Sequence, residues 1–369
     1  MSQTPHPSQH DPQHSSSDPA DGIRVLLVAD PGLPTDRAGS IADSLQQQLD
    51  EQYSTTVHLD VSTSMLRLRP DGTLDLSQAL EQARSFGDPD AVLLLTEIPR
   101  LHAGRPLIAE IFPEHDIAVV SCPTLGVLTT RRRILDVLMS CTLRMAPTQE
   151  TRDASPYGRR WAQWEELAGP EEHQLLLGSG WIGGARTVAG MVAGNEPFRT
   201  APKLSSALAA AAATGAFGIF YSSIWSMSMY LPTQRLLLIG LLAILAITTW
   251  LIVGNRLWDS PRYDRLARVV LLYNLSTVLT LLMIVTLLYA ALVVLIFTGG
   301  LIVIAPDYLA EVTEAEPVLV RYLDIAWLSA AMGVVAGALG SSFDNDTDLR
   351  NLTHGQRERQ RMFTEEERE

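Results

Sequence analysis

Between Val269 and Ile304 the chain runs thirty-six residues without a charged side chain. As an α-helix that stretch is about 54 Å long, and the hydrocarbon core of a bilayer is only about 30 Å thick. Either one helix extends well past the core, with a break at Gly299-Gly300 as a variant, or two short helices share a tight turn. Three further apolar stretches reach the length a span needs: Leu204–Met229, Leu236–Gly254 and Val318–Gly340. The second holds twelve Leu, Ile and Val residues, worth roughly −4 to −7 kcal/mol towards insertion. These stretches define an expected all-α transmembrane domain of four helices over residues 204–341.

Charge orients the spans. The segment from Arg256 to Arg268 also carries Arg262 and Arg265, and such basic connectors stay on the cytoplasmic side. The segment from Ala305 to Pro317 has no basic residue but carries Asp307, Glu311, Glu314 and Glu316, which suits the opposite side. An odd number of crossings then separates the two connectors, and one long span is the economical choice. Four spans put both ends of the chain in the cytoplasm of a cell-membrane protein. That placement also suits Arg350, Arg357, Arg359 and Arg361 in the charged tail 342–369.

Inside the spans the polar inventory is thin. Asn274, Thr277 and Thr280 share one side of the long stretch, and Arg321 with Asp324 forms an ion-pair candidate near the start of the last one. Small residues form two ladders, Ala207, Ala211 and Gly215 in the first span and Ser329, Gly333, Gly337 and Ser341 in the last. Such stripes let backbones approach closely, either within one chain or in a homodimer through Gly333 and Gly337.

The half before residue 204 has the composition of water-soluble protein. Residues 1–22 read as a polar disordered tail. Over residues 23–146, short apolar runs such as Ile23–Asp30, Ala91–Thr96 and Ile117–Ser121 alternate with helical patterns around Ala38–Leu49, Leu76–Phe86 and Thr130–Met145. Strands alternating with helices predict a three-layer α/β domain with a mainly parallel sheet, to which Pro106–Ile111 adds an edge strand. Residues 147–203 read as a linker with a juxtamembrane amphipathic helix, placing Trp181, Met191 and Phe198 at the membrane interface and Arg186, Arg199 and Lys203 near headgroups.

In such sheets ligands gather at the carboxyl ends of the strands. That edge collects Asp30, Thr35, Glu97, Arg100, Ser121 and Thr124, all of which also serve as turn formers and caps. Arg131, Arg132 and Arg133 occupy the first turn of a helix, where the macrodipole disfavours each cation by about 0.3–1 kcal/mol. A run set against local electrostatics points to an anionic partner, headgroups or a phosphate, or to a solvated charge run.

Several chemistries are excluded. The net charge of −13 argues against nucleic acid as a partner. Two cysteines are too few for a disulfide framework or a thiolate metal site. Lys203 is the only lysine, so residues 23–146 lack a Schiff-base or Walker lysine. Gly178-Ser179-Gly180-Trp181-Ile182-Gly183 matches G-x-G-x-x-G, but no βαβ unit is expected around it. Asp344, Asp346 and Asp348 open like a calcium loop, then present Leu349 and Gly355 where glycine and glutamate are required. No catalytic residue, metal site or cofactor is assigned.

The order of elements around AVLLLT, RPLIAE and IAVVSC is similar to that of metzincin-like zinc proteases, without their zinc motif. The layout as a whole resembles a family of uncharacterised actinobacterial multi-pass integral membrane proteins. The resemblance is carried by LLVADPGLPT at Leu26–Thr35, RPLIAEI, IAVVSCPTLG, GMVAGNEPFR at Gly190–Arg199, IVGNRLW, YNLSTVLT and YLDIAWL. It implies a membrane protein with a soluble N-terminal domain and brings no activity or catalytic residues. The expected function is a membrane-anchored binding, sensing or scaffolding module. An enzyme at the inner membrane face is the alternative, and a small-solute permease ranks third.

Overall fold

The computed structural model describes residues 22–53, 55–69, 74–127, 131–147, 162–167, 173–200, 205–260 and 267–340. Residues 1–21, Lys203, Arg262, Arg265, Ser341 and the tail 342–369 lie outside them.

The first half builds one mixed sheet. Its elements in chain order are β1 (Ile23–Ala29), α1 (Leu33–Gln52), β2 (Val57–Thr63), β3 (Arg67–Leu68), β4 (Leu74–Asp75), α2 (Ser77–Ser85), β5 (Ala91–Thr96), β6 (Leu101–His102), β7 (Arg105–Phe112), β8 (Ile117–Ser121), α3 (Cys122–Leu125), α4 (Arg131–Met145), β9 (Ala162–Leu167) and β10 (His173–Gly178). The strands lie in the order β2-β1-β5-β8-β7-β10-β9, with β6 beside β7 and β3-β4 a separate hairpin. The first four are mutually parallel, and β7, β10 and β9 join antiparallel.

The central strands are apolar on both faces because both faces are covered. Val25, Leu27, Leu93 and Val120 pack with α1 and α4, while Leu26, Val28, Leu94 and Val119 pack with α2. The three layers are as expected, but parallel pairing stops at β8. Pro106 lies within an interior strand, not an edge strand, because β10 pairs with β7 on its far side. Two strands of the sheet therefore come from residues 147–203, read in sequence as a linker. Their signal was weak, since Ala162–Leu167 carries Gln163, Glu165 and Glu166 in an edge strand.

The second half is helical: α5 (Gly180–Gly194), α6 (Pro197–Thr200), α7 (Ser205–Gly215), α8 (Phe217–Phe220), α9 (Ser222–Tyr230), α10 (Thr233–Gly254), α11 (Ala267–Val303), α12 (Pro306–Thr313) and α13 (Leu319–Gly340). By length and composition, α10, α11 and α13 can each cross a membrane, and a fourth span exists if the bent pair Leu208–Phe220 and Ser222–Tyr230 counts as one. That pair covers most of the first apolar stretch, Leu204–Met229, and is bent by 83°. Tyr221 is extended at the break, and the Trp225 indole donates to the Gly218 carbonyl, supplying a partner near the interruption.

The long stretch is one unbroken helix, about 55 Å by its 37 residues. Its neighbours change along its length. Next to α5 and the segment after α10 the buried side is polar, with Asn274, Ser276, Thr277 and Thr280; beyond Leu281 it is apolar, with Ile284, Leu292 and Ile296. The Asn274 amide clamps the Asp259 backbone, donating to its carbonyl (2.8 Å) and accepting from its N–H (2.9 Å). Arg321 and Asp324 pair at 3.7 Å, one turn apart on α13.

The two small-residue ladders meet each other. A Cβ on Gly333 would sit 2.5 Å from the Ala211 carbonyl oxygen, and one on Gly337 would sit 2.7 Å from the Ala211 backbone. α7 thus fills the face of α13 on which a homodimer through Gly333 and Gly337 would depend. Gly333→Ala is expected to lower stability by about 1–3 kcal/mol through overpacking. Gly39→Ala, in the open middle of α1 with nothing within 4 Å, should raise it by about 0.5–1 kcal/mol. Thermal unfolding of the two variants in detergent checks both signs.

Candidate functional site

The chain leaves β1 towards β2 on one side and returns to β5 on the other, so the strand order reverses between β1 and β5. The crevice beyond the carboxyl ends at such a reversal is where open α/β sheets hold ligands. Asp30 follows β1 at that point. Its carboxylate is buried and accepts from the Leu66 N–H (2.8 Å), the Glu97 N–H (3.0 Å) and the Thr96 hydroxyl (2.5 Å). One side chain therefore ties the ends of β1 and β5 to the segment after β2.

The other expected residues are mostly engaged in the same way. The Thr35 hydroxyl donates to the Asp30 carbonyl (2.7 Å), and α1 begins three residues earlier than a Thr35 cap would place it, at Leu33 with Gly32 in the cap position. Ser121 donates to the Ile98 carbonyl (2.7 Å) and Thr124 to the Ser121 carbonyl (2.7 Å). Glu97 is buried beside Asp30. Arg100 stands apart from this group, paired with Glu110 of β7, whose second oxygen meets His173 Nδ1 at 3.0 Å. Between α2 and β2 the Gln78 and Gln82 amides donate to Ser64 and Ser62, and their buried carbonyl oxygens line a small cavity beside Asp30.

The densest charged feature surrounds α3 and the turn after it. Arg37 of α1 donates to the carbonyls of Cys122 (3.2 Å) and Gly126 (3.5 Å). Arg133 of α4 donates to Leu125 (3.3 Å), and Arg186 of α5 donates to Thr124 (3.0 Å). Three guanidinium groups from three helices thus hold the carbonyl end of one short helical turn. Burial and the neighbouring Arg133 cation lower the Arg186 pKa from its ordinary value. Of the arginine run, Arg133 faces the turn, while Arg131 and Arg132 are exposed.

Two of these residues, Arg37 and Arg186, were missing from the sequence-derived site. Arg37 lies just one turn into α1, and only the fold brings it to β8. Arg186, assigned from sequence to headgroups, sits on a helix packed between the sheet and α11. Met191 is correspondingly fully buried, contrary to the interfacial position expected for it, while Phe198 is 68% exposed. A Cβ on Gly190 would fall inside the Pro123 carbonyl, so α5 lies directly on α3. At its end the Asn195 amide donates to the Thr280 hydroxyl of α11 (2.8 Å).

Among the described residues no group of three or more His, Cys, Asp and Glu side chains is arranged to hold a metal ion. The Cys122 thiol is pushed up to about 11, chiefly by burial, with Arg37 pulling the other way and Asp30 and Glu97 adding to the rise; burial pushes Cys141 up to about 12. No family model, curated protein or solved structure matches this chain.

Asp30→Ala is expected to cost about 2–4 kcal/mol, because it strands two buried N–H groups and a hydroxyl; chemical denaturation measures it. Both thiols should resist alkylation at neutral pH and react only after denaturation. Since their folded pKa values are raised, their contribution to stability is complete below about pH 8.5, the unfolded value, and is lost as pH rises through about 11 for Cys122 and about 12 for Cys141.

Proposed function

We propose that this chain is a membrane-anchored binding module. Its α/β domain takes a ligand or partner at the strand-end edge, and the apolar helices hold it on the cytoplasmic face of the cell membrane. The observation that carries this reading is the double attachment of α5. One side presses Gly190 and Arg186 onto the α3 turn at the sheet's carboxyl edge, and the other side packs on α11. A change at the edge therefore has a short packed route to the helix that runs the length of the bundle, as sensing or scaffolding requires.

The enzyme reading ranks second because the buried Asp30 carboxylate is already occupied by three donors within the fold. The permease reading ranks third. Of the residues a conduit would use, Asn274, Thr277 and Arg321, the first is engaged by Asp259 and the last is paired with Asp324.

The test uses the full chain in detergent, because a fragment ending near residue 150 would lack β9 and β10 and bare the edge of β7. Thermal unfolding is followed against a panel of nucleotides, phosphates and small carboxylates. A stabilising compound whose effect disappears in Arg37→Gln or Arg133→Gln supports the edge as the site. A compound that the chain chemically converts moves the enzyme reading to first place, and solute flux in proteoliposomes does the same for the permease.

A single crossing by α11 is expected to put topology reporters fused at Ser260 and at Val312 in opposite compartments, and the arginines of the Arg256–Arg268 connector favour Ser260 on the cytoplasmic side. Both reporters on one side would remove the four-span arrangement.

A further inference from the structure

The heights of the packed elements along α11 relate the arginine-bound turn to the bundle. Both α5 and α11 begin beside the β6–β7 hairpin: Gly183 of α5 lies against Pro106, and Arg268 of α11 lies against Gly104. They run side by side until Asn195 meets Thr280. Counting back five residues on α5, about 8 Å, reaches Gly190 and the Pro123 backbone. Counting back six residues on α11, about 9 Å, reaches Asn274 and its clamp on the α10–α11 connection. The α3 turn and the end of the helical hairpin therefore share one height.

Apolar side chains of the bundle are exposed up to that height and for about one turn beyond it, where Leu271 of α11 is 62% exposed. On α10 and just after it, Val253 and Trp258 are 70% and 58% exposed, and Phe198 projects beside α11 near Thr280. At the same height the α/β domain exposes Val127, immediately after the arginine-bound turn, and Arg131 and Arg132 at the start of α4. Arg133 and Arg186 lie just behind them. A cluster of cations where an apolar surface ends matches the layer of a bilayer that carries phosphate.

We propose that this face, comprising Val127, Arg131 and Arg132 with Arg133 and Arg186 bracing the turn behind them, docks on the anionic phospholipid headgroups of the membrane that holds the bundle. Arg131 and Arg132 contact lipid phosphate and Val127 enters the headgroup layer. Arg131 and Arg132 oppose the dipole of their own helix, and headgroup phosphates supply the compensating charge there. The inference rests on the bundle spanning a bilayer, as proposed above, and its test separates the two.

The full chain is reconstituted in nanodiscs of phosphatidylcholine, with or without phosphatidylglycerol, that carry a headgroup quencher or an acyl-chain quencher. Single fluorescent labels are placed by Val127→Cys, Leu167→Cys or Leu242→Cys; Cys122 and Cys141 are buried and stay unlabelled. Leu167 pairs with His173 at the opposite end of the sheet and serves as the distant reference. Leu242 is an exposed residue of α10 and reports the span itself.

The expected result is headgroup quenching at position 127 several-fold above that at 167. It should require phosphatidylglycerol, and it should fall towards the reference at high salt and in the Arg131→Gln/Arg132→Gln variant. Equal quenching at 127 and 167, with acyl-chain quenching intact at 242, overturns the docking face alone. Quenching at 127 that ignores both lipid charge and the arginine substitutions also overturns it. Loss of acyl-chain quenching at 242 overturns the membrane reading and the docking face together.

Discussion

A helix of 37 residues has to find packing partners along about 55 Å, and no single environment offers that. The chain divides the task. Over the first third of α11, side chains that would be costly to bury alone are matched by α5 and by the segment after α10, as the Asn274 clamp and the Asn195–Thr280 bond show. Over the rest, α7, α10 and α13 supply apolar contact and glycine-mediated close approach. The sheet is attached to the polar third. Its position relative to the bundle is therefore set by packed side chains as well as by the connecting chain.

The same economy of polar groups governs the strand-end edge. Asp30 is buried as an acceptor for donors from separate segments, which makes it a fastening between strands. Around α3 the relation is inverted: backbone carbonyls of buried residues are the acceptors, and arginines from α1, α4 and α5 come to them. Hydrogen bonds from a charged donor are worth about 1.5–3 kcal/mol each, so the collar stiffens a turn that carries only four helical residues.

Much of this was legible in the residues. Continuous apolar runs located β1, β5 and β8, and helical stripes located α1, α2 and α4 to within a few positions. Long apolar stretches located α10, α11 and α13. What escaped was non-local. A charged edge strand such as β9 has no strong pattern of its own, because only β10 beside it makes it a strand. The 83° bend after Phe220 lies at Tyr221, with neither proline nor glycine at the break itself to announce it. The residues themselves gather Asp30, Glu97, Ser121 and Thr124 at the strand-end edge but give no sign of Arg37 and Arg186, since a guanidinium reaching a carbonyl some sixty or more positions away leaves no local trace. Arg100, expected at the same edge, is directed by the fold to Glu110 instead.

The late arrival of β9 and β10 orders the birth of the molecule. β7 ends at Phe112 and its outer neighbour ends at Gly178, with all of α4 made in between. At a synthesis rate of about 5–20 residues per second, the outer edge of β7 waits roughly 3–13 s for its partner. Throughout that interval an apolar strand carrying Leu107, Ile108 and Ile111 stands open to any passing extended chain, including a sibling on the same messenger. The nascent polypeptide is thus most vulnerable before its first apolar helix has been made.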